Sequence, residues 1–197
     1  MDFRWPRALR EPTEHDGDSA RARVTKSCFE WVEALVTSLI TVVIIFTFLF
    51  RIVSVSGTSM YPTLHNEDRV VITNLFYDPQ PGDIVVISHA GEMQEPLIKR
   101  VIAVEGQTLK IDFDKGEVYV DGVLLNEPYI NSKTTKRGDA EIPEVIPEGY
   151  VFVMGDNRND SLDSRFTRVG LIDKRYILGK AQLIVFPFNR LGGNLYS

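Results

Sequence analysis

Leu97-Ile-Lys-Arg-Val-Ile-Ala-Val104 is a short apolar run that carries two adjacent cations. A run of this length and composition predicts a β-strand, not a helix. Strand alternation then places Leu97, Val101 and Ala103 on the face of Lys99, and Ile98 on the opposite face. An ammonium among apolar neighbours is penalised by desolvation, which favours the neutral amine.

The same grammar recurs outward from this run, in Ile52–Ser56, Arg69–Thr73, Asp83–His89, Thr108–Phe113, Glu117–Val120, Tyr150–Met154 and Tyr176–Phe186. Pro81-Gly82, Asp114-Lys115-Gly116 and Asp121-Gly122 punctuate the runs, so Thr108–Leu125 reads as a hairpin followed by a short third strand. Ser132–Pro147, charged and containing Pro143 and Pro147, reads as an exposed loop. The expectation is one mainly β domain over residues 54–197, its strands beginning from about residue 52, with enough chain to bury a core.

Upstream the pattern changes. Residues 1–30 mix both charge signs with Pro6, Pro12, Gly17 and Ser19, and are expected to form a disordered tail. From Ala34 to Phe50 no charge occurs, and the hydroxyls of Thr37, Ser38, Thr41 and Thr47 can bond backwards along a helix. At about 1.5 Å per residue this run covers about 25 Å, and Ile52 and Val53 extend it if Arg51 snorkels, giving an anchor over residues 31–53. A core helix rarely lacks a polar face, and a cleavable secretory signal has a shorter leader and apolar region. A retained membrane anchor is therefore expected. Arg4, Arg7, Arg10, Arg21, Arg23 and Lys26 precede the span, whereas Arg51 alone follows it closely. That bias predicts a single-pass protein of the cell membrane, with its N-terminus cytoplasmic and its large domain outside.

Composition excludes several classes. A net charge of −5 argues against nucleic-acid binding, and a single cysteine with three scattered histidines leaves no metal-ligand spacing. Neither metal nor cofactor is expected.

Val55-Ser-Gly-Thr-Ser-Met-Tyr-Pro-Thr-Leu64 presents Ser59 on a bend between Gly57 and Pro62. A serine nucleophile needs a base. His65 and His89 are candidates that would make a Ser–His hydrolase; Lys99, if neutral, is the alternative. Read blandly, Ser59 is a turn residue, Lys99 a strand charge that discourages aggregation, and the chain an anchored β binding module without catalysis. Met154-Gly-Asp-Asn-Arg-Asn-Asp-Ser-Leu-Asp-Ser-Arg165 is dense in side chains that can fix a loop by its own hydrogen bonds.

Ser56–Leu64, Pro81-Gly-Asp-Ile-Val-Val86, Ile98–Val104 and Gly155–Arg165 together resemble the successive motifs of type I signal peptidases, membrane-anchored Ser–Lys endopeptidases. The resemblance runs from the anchor to about Leu183, outside the tail and Ser132–Pro147. It implies an antiparallel β catalytic domain of the type shared with the SOS repressors, whose DNA-binding domain has no counterpart here. A small insertion is expected within residues 107–154. By the resemblance Ser59 is the nucleophile, Lys99 the general base, and Ser161 the hydroxyl that bonds the lysine amine. Asp163 and Arg165 buttress the site, and Val55, Leu64 and Ile98 line the substrate pocket. Where some members place an oxyanion-hole serine, this chain has Gly57, leaving the Ser59 backbone N–H as the assigned donor. The implied substrates are preproteins with small residues, typically Ala-x-Ala, before the cleaved bond. Membrane lipid, touched by Met60 and Tyr61, and the secretion translocon are the further partners. Phe50 lies only nine residues before Ser59, which keeps the active site near the outer membrane surface.

Overall fold

The computed structural model describes residues 15–93, 95–193 and 195–196. It falls into two units, Met1–Thr47 and Phe48–Ser197.

The first unit holds the helix α1, His15–Leu49, as far as Thr47. Its start corrects the expected disordered tail from residue 15 onward; residues 1–14 of that tail lie outside the described residues. No Gly or Pro follows Gly17 before the apolar run, while Ala20, Arg21, Arg23 and Lys26 are good helix formers, so the backbone continues helical. Within it Thr25–Ile44 is long and apolar enough to cross a membrane. Ser38 Oγ donates to Leu35 O and Thr41 Oγ1 to Thr37 O, so these hydroxyls are satisfied along the helix itself.

The second unit is built on an antiparallel sheet. Its strands are β1 (Arg51–Ser54), β2 (Arg69–Thr73), β3 (Ile84–Ile87), β4 (Leu97–Val104), β8 (Tyr150–Met154), β9 (Ile172–Asp173) and β10 (Ile177–Phe186). Their order is β1-β2-β10-β3-β4-β8-β9. A second sheet holds β5 (Leu109–Asp112), β6 (Glu117–Val120) and β7 (Val123–Leu124) in sequence order, the hairpin and short third strand that the turn signals predict. Ile52 and Val53 do not lengthen the helix. They pair with Val71 and Val70 as part of β1, because their β-branched side chains and the backbone ladder favour a strand. β10, the last long strand, inserts between β2 and β3.

Three apolar clusters fill the unit. One gathers Val55, Met60 and Leu64 with Val70, Ile72, Ile84, Val86, Ala181, Ile184 and Leu195. A second includes Val85, Ile87, Val101, Val151 and Val153. The third, between the two sheets, holds Ile102, Ala103, Leu109, Val118, Ile146 and Phe152. Ala103 therefore does not share the cluster of Leu97 and Val101, as simple alternation predicts. The β4–β8 register shifts between Val101 and Ala103, and such an irregularity flips the residues beyond it to the other face. Ser132–Pro147 is not simply exposed: Thr134 and Ile146 are buried, the latter in the third cluster. Met60 is also buried, which removes it from the residues expected to touch lipid; Tyr61 is exposed and stacks on His65.

Candidate active site

Ser59 lies in the connection from β1 to β2, on a turn sewn into the sheet by its ends. Val55 N donates to Asp68 O at 2.7 Å, and Glu67 N to Val55 O at 2.9 Å. Inside the turn Tyr61 N bonds Thr58 O and Leu64 N bonds Met60 O. Gly57 has a φ of +86°, where a side chain is disfavoured, and its N–H donates to Asn66 Oδ1. Gly57 is thus held in a conformation that favours glycine.

Lys99, on β4, extends to this turn. Its Nζ stands 2.8 Å from Ser59 Oγ and 3.0 Å from Ile98 O. The lysine is only 3% exposed. Burial pulls its amine down to about 8, while the charges of Asp163 and Asp156 oppose that fall. A proton acceptor that becomes available near pH 8 is therefore in hydrogen-bonding contact with a serine hydroxyl. His65 stacks on Tyr61 and His89 lies against Tyr176. Among the described residues neither histidine side chain is bonded to Ser59 Oγ.

The loop after β8 supports this pair. Asp163 accepts from Arg165 Nε and Nη2, both at 2.8 Å, and from Gly155 N at 3.0 Å. Arg165 also donates to Lys136 O and Arg158 O, and the Asp163 and Arg165 side chains are fully buried. A buried charge is tolerable when paired and well bonded, and four of this arginine's five N–H groups have partners. Gly155 permits the close approach: a Cβ there would collide with Ser59 O and with Ser161 Oγ. Ser161 is buried at this junction, but its Oγ has no hydrogen-bond partner among the described residues. The bond from Ser161 to the lysine amine, implied by resemblance, is thus not formed here; Nζ instead bonds Ser59 Oγ and Ile98 O.

Two further buried pairs were not singled out by sequence reasoning. Arg100 donates to Asp156 through Nε and Nη2 and lies over Tyr129, 3.9 Å from its ring centroid. Asp156 also accepts from Thr63 Oγ1 at 2.5 Å, which ties the pair to the Ser59 turn. Arg158 pairs with Glu127 and bonds Thr134. The clue lay in Arg100 itself, a cation inside an apolar strand that needs a carboxylate partner.

Val55, Leu64 and Ile98 come together in one apolar cluster. Leu64 is fully buried and Val55 nearly so, whereas Ile98 is half-buried; the set forms a floor more than a wall. β8 pairs with β4 only from Arg100 onward, so among the described residues no strand pairs with Leu97–Lys99 on the side away from β3. Among the described residues no group of His, Cys, Asp or Glu has a metal-binding arrangement.

Residues 28–186 match the model of a family described as signal peptidase, peptidase S26. The chain is similar to signal peptidase I of Bacillus licheniformis, at 37% identity over 175 residues covering 84% of this chain and 92% of that one. Signal peptidase I S of Bacillus subtilis is 36% identical over 177 residues, covering 84% and 93%. A signal peptidase I crystal structure from Enterococcus faecalis is 28% identical with a TM-score of 0.46, covering 54% of this chain and 98% of that one.

Proposed function

Since the chain belongs to the signal peptidase family, peptidase S26, we propose that Ser59 and Lys99 are the dyad with which it cleaves signal peptides from preproteins. The observation that carries this assignment is the 2.8 Å contact between Lys99 Nζ and Ser59 Oγ at a buried, acidified amine. The reaction is acyl transfer by a serine endopeptidase. Neutral Lys99 accepts the Ser59 proton as Oγ attacks the carbonyl carbon of the scissile peptide. The resulting ammonium returns that proton to the departing amine as the mature protein leaves. Lys99 then deprotonates a water that attacks the ester, releasing the signal peptide with a new carboxylate and regenerating Ser59. The developing oxyanion is received by Ser59 N–H.

The open edge at Leu97–Lys99 supports an extended substrate that adds to β4 as a strand. Val55, Leu64 and Ile98 beneath it favour small side chains, because a closed apolar floor excludes large ones. Asp163 and Arg165 act as positioning residues that fix the loop against Ser59. The positive charges before α1's apolar stretch support a cytoplasmic N-terminus and an extracytoplasmic catalytic unit in contact with membrane lipid, with the secretion translocon as a further partner.

The test is cleavage of a preprotein with an Ala-x-Ala site by the purified full chain. Ser59→Ala and Lys99→Ala are each expected to abolish cleavage, while His65→Ala and His89→Ala leave it near normal. Full activity in Lys99→Ala overturns the assignment.

A further inference from the structure

We propose that Asn157 is a positioning residue for the oxyanion site, because its side-chain amide holds the Thr58 carbonyl and thereby sets where Ser59 N–H points. The inference rests on the Ser59–Lys99 reading and adds a part to it. The Thr58–Ser59 peptide bond is trans, so Thr58 C=O and Ser59 N–H lie in one plane and point in opposite directions. Fixing the oxygen fixes the hydrogen.

Thr58 O accepts from Asn157 Nδ2 at 3.1 Å and from Tyr61 N at 3.0 Å, which occupies both of its lone pairs. The next peptide plane is held by the same residue, since Asn157 N donates to Ser59 O at 3.0 Å. Asn157 thus grips the backbone on both sides of the nucleophile. Its own amide is oriented in turn, with Asn131 Nδ2 donating to Asn157 Oδ1 at 3.0 Å. Asp160 closes the ring: its N–H donates to Asn157 O, and its Oδ2 accepts from Thr58 Oγ1 at 3.1 Å. This matters more here than in a chain with a serine at position 57, because Gly57 contributes no hydroxyl and the direction of one backbone N–H carries more of the transition-state charge.

The experiment uses the full chain, a soluble Ala-x-Ala peptide, and a peptide boronic acid ending in Ala. The boronate's tetrahedral adduct with Ser59 Oγ places an oxygen where the oxyanion forms. Asn157→Leu is expected to lower kcat at least tenfold and to weaken the boronate at least tenfold. KM and the midpoint of the pH profile stay within twofold and within about half a pH unit. Asn131→Ala, which frees the Asn157 amide to rotate and otherwise gives up a 3.3 Å bond from Ser132 Oγ, is expected to shift kcat and boronate affinity in the same direction by about threefold; this variant stands in if Asn157→Leu does not fold. Boronate affinity within twofold of the parent in both variants overturns the proposal, as does a loss of kcat that tracks a lowered Tm and vanishes at lower assay temperature. Failure of the underlying reading is separate: it is a parent chain that cuts no peptide, or a Ser59→Ala variant that cuts as well as the parent.

Discussion

The turn Val55–Leu64 and the loop Gly155–Arg165 meet at Ser59, and they are held in place by opposite means. The turn is fastened by burial: Val55, Met60 and Leu64 sink into an apolar cluster shared with β2, β3 and β10. The loop is fastened by charge: Asp163 with Arg165, Asp156 with Arg100, and Arg158 with Glu127, all buried. Apolar anchoring is indifferent to pH and puts no field on the site. Charged anchoring is felt by its neighbours, and the Asp163 and Asp156 carboxylates both push the Lys99 amine back toward its protonated form. The division leaves the proposed nucleophile, Ser59, on a mainly apolar mount joined to the loop through Thr58 and Thr63, and exposes the proposed base, Lys99, to the loop's charges.

The contrast breaks most severely at Arg165. Arg165→Met leaves Asp163 buried without its cation, and stability should fall by about 3–5 kcal/mol in a denaturant titration. The uncompensated carboxylate also favours the protonated lysine, so the rise of activity with pH should move to higher pH in whatever fraction folds. Leu64→Ala is the matching cut on the other side. It should cost about 3 kcal/mol through lost burial and the cavity left behind, while the pH midpoint of the remaining activity stays put. A shifted midpoint in Leu64→Ala, or an unshifted one in Arg165→Met, refutes the division of labour.

Lys99 is the third test, and there the substitution is expected to stabilise the fold. Its folded value of about 8 lies below the ordinary 10.5, so the folded state releases the proton first. The fold therefore carries a cost below pH 8 that is relieved as pH rises from about 8 to 10.5. Lys99→Met should abolish cleavage yet stabilise the chain by about 2–3 kcal/mol at pH 7, with the gain shrinking as pH rises from about 8 to 10.5. For the active chain, kcat/KM should rise with pH through about 8 as the free amine appears. The smallest effect is expected at Gly57. Gly57→Ala meets open space but is forced into the left-handed region, costing about 1–2 kcal/mol.

Much of this architecture is legible in the residues. β2, β4, β6 and β8 have the limits that the apolar runs give, because period and punctuation there agree with the tertiary pairing. Ser59 and Lys99, forty positions apart, are linked in the sequence only by the order of four motifs; no local rule connects a turn to a strand at that distance. What the residues hide is what long-range packing decides. The irregularity beyond Val101 depends on how β8 lies against β4, and Ala103 cannot announce it. Ser132–Pro147 looks like solvent-exposed polar chain, yet Asn159 bonds Ser132, Lys133, Thr135 and Lys136, and clasps that segment to the catalytic loop. Polar residues that satisfy each other at a distance read in the sequence as polar residues facing water.

The place of β10 has a consequence in time. A ribosome delivers β1 to β4 first, and with them both Ser59 and Lys99, but β2 and β3 have no edge in common until β10 arrives between them. The half of the sheet that carries the nucleophile turn and the half that carries the lysine are bridged only by residues made about eighty positions after Lys99. Contacts of such long sequence separation form late. A nascent chain can therefore hold both Ser59 and Lys99 and still leave them unjoined, and the proposed dyad assembles only once β10 has been made and seated.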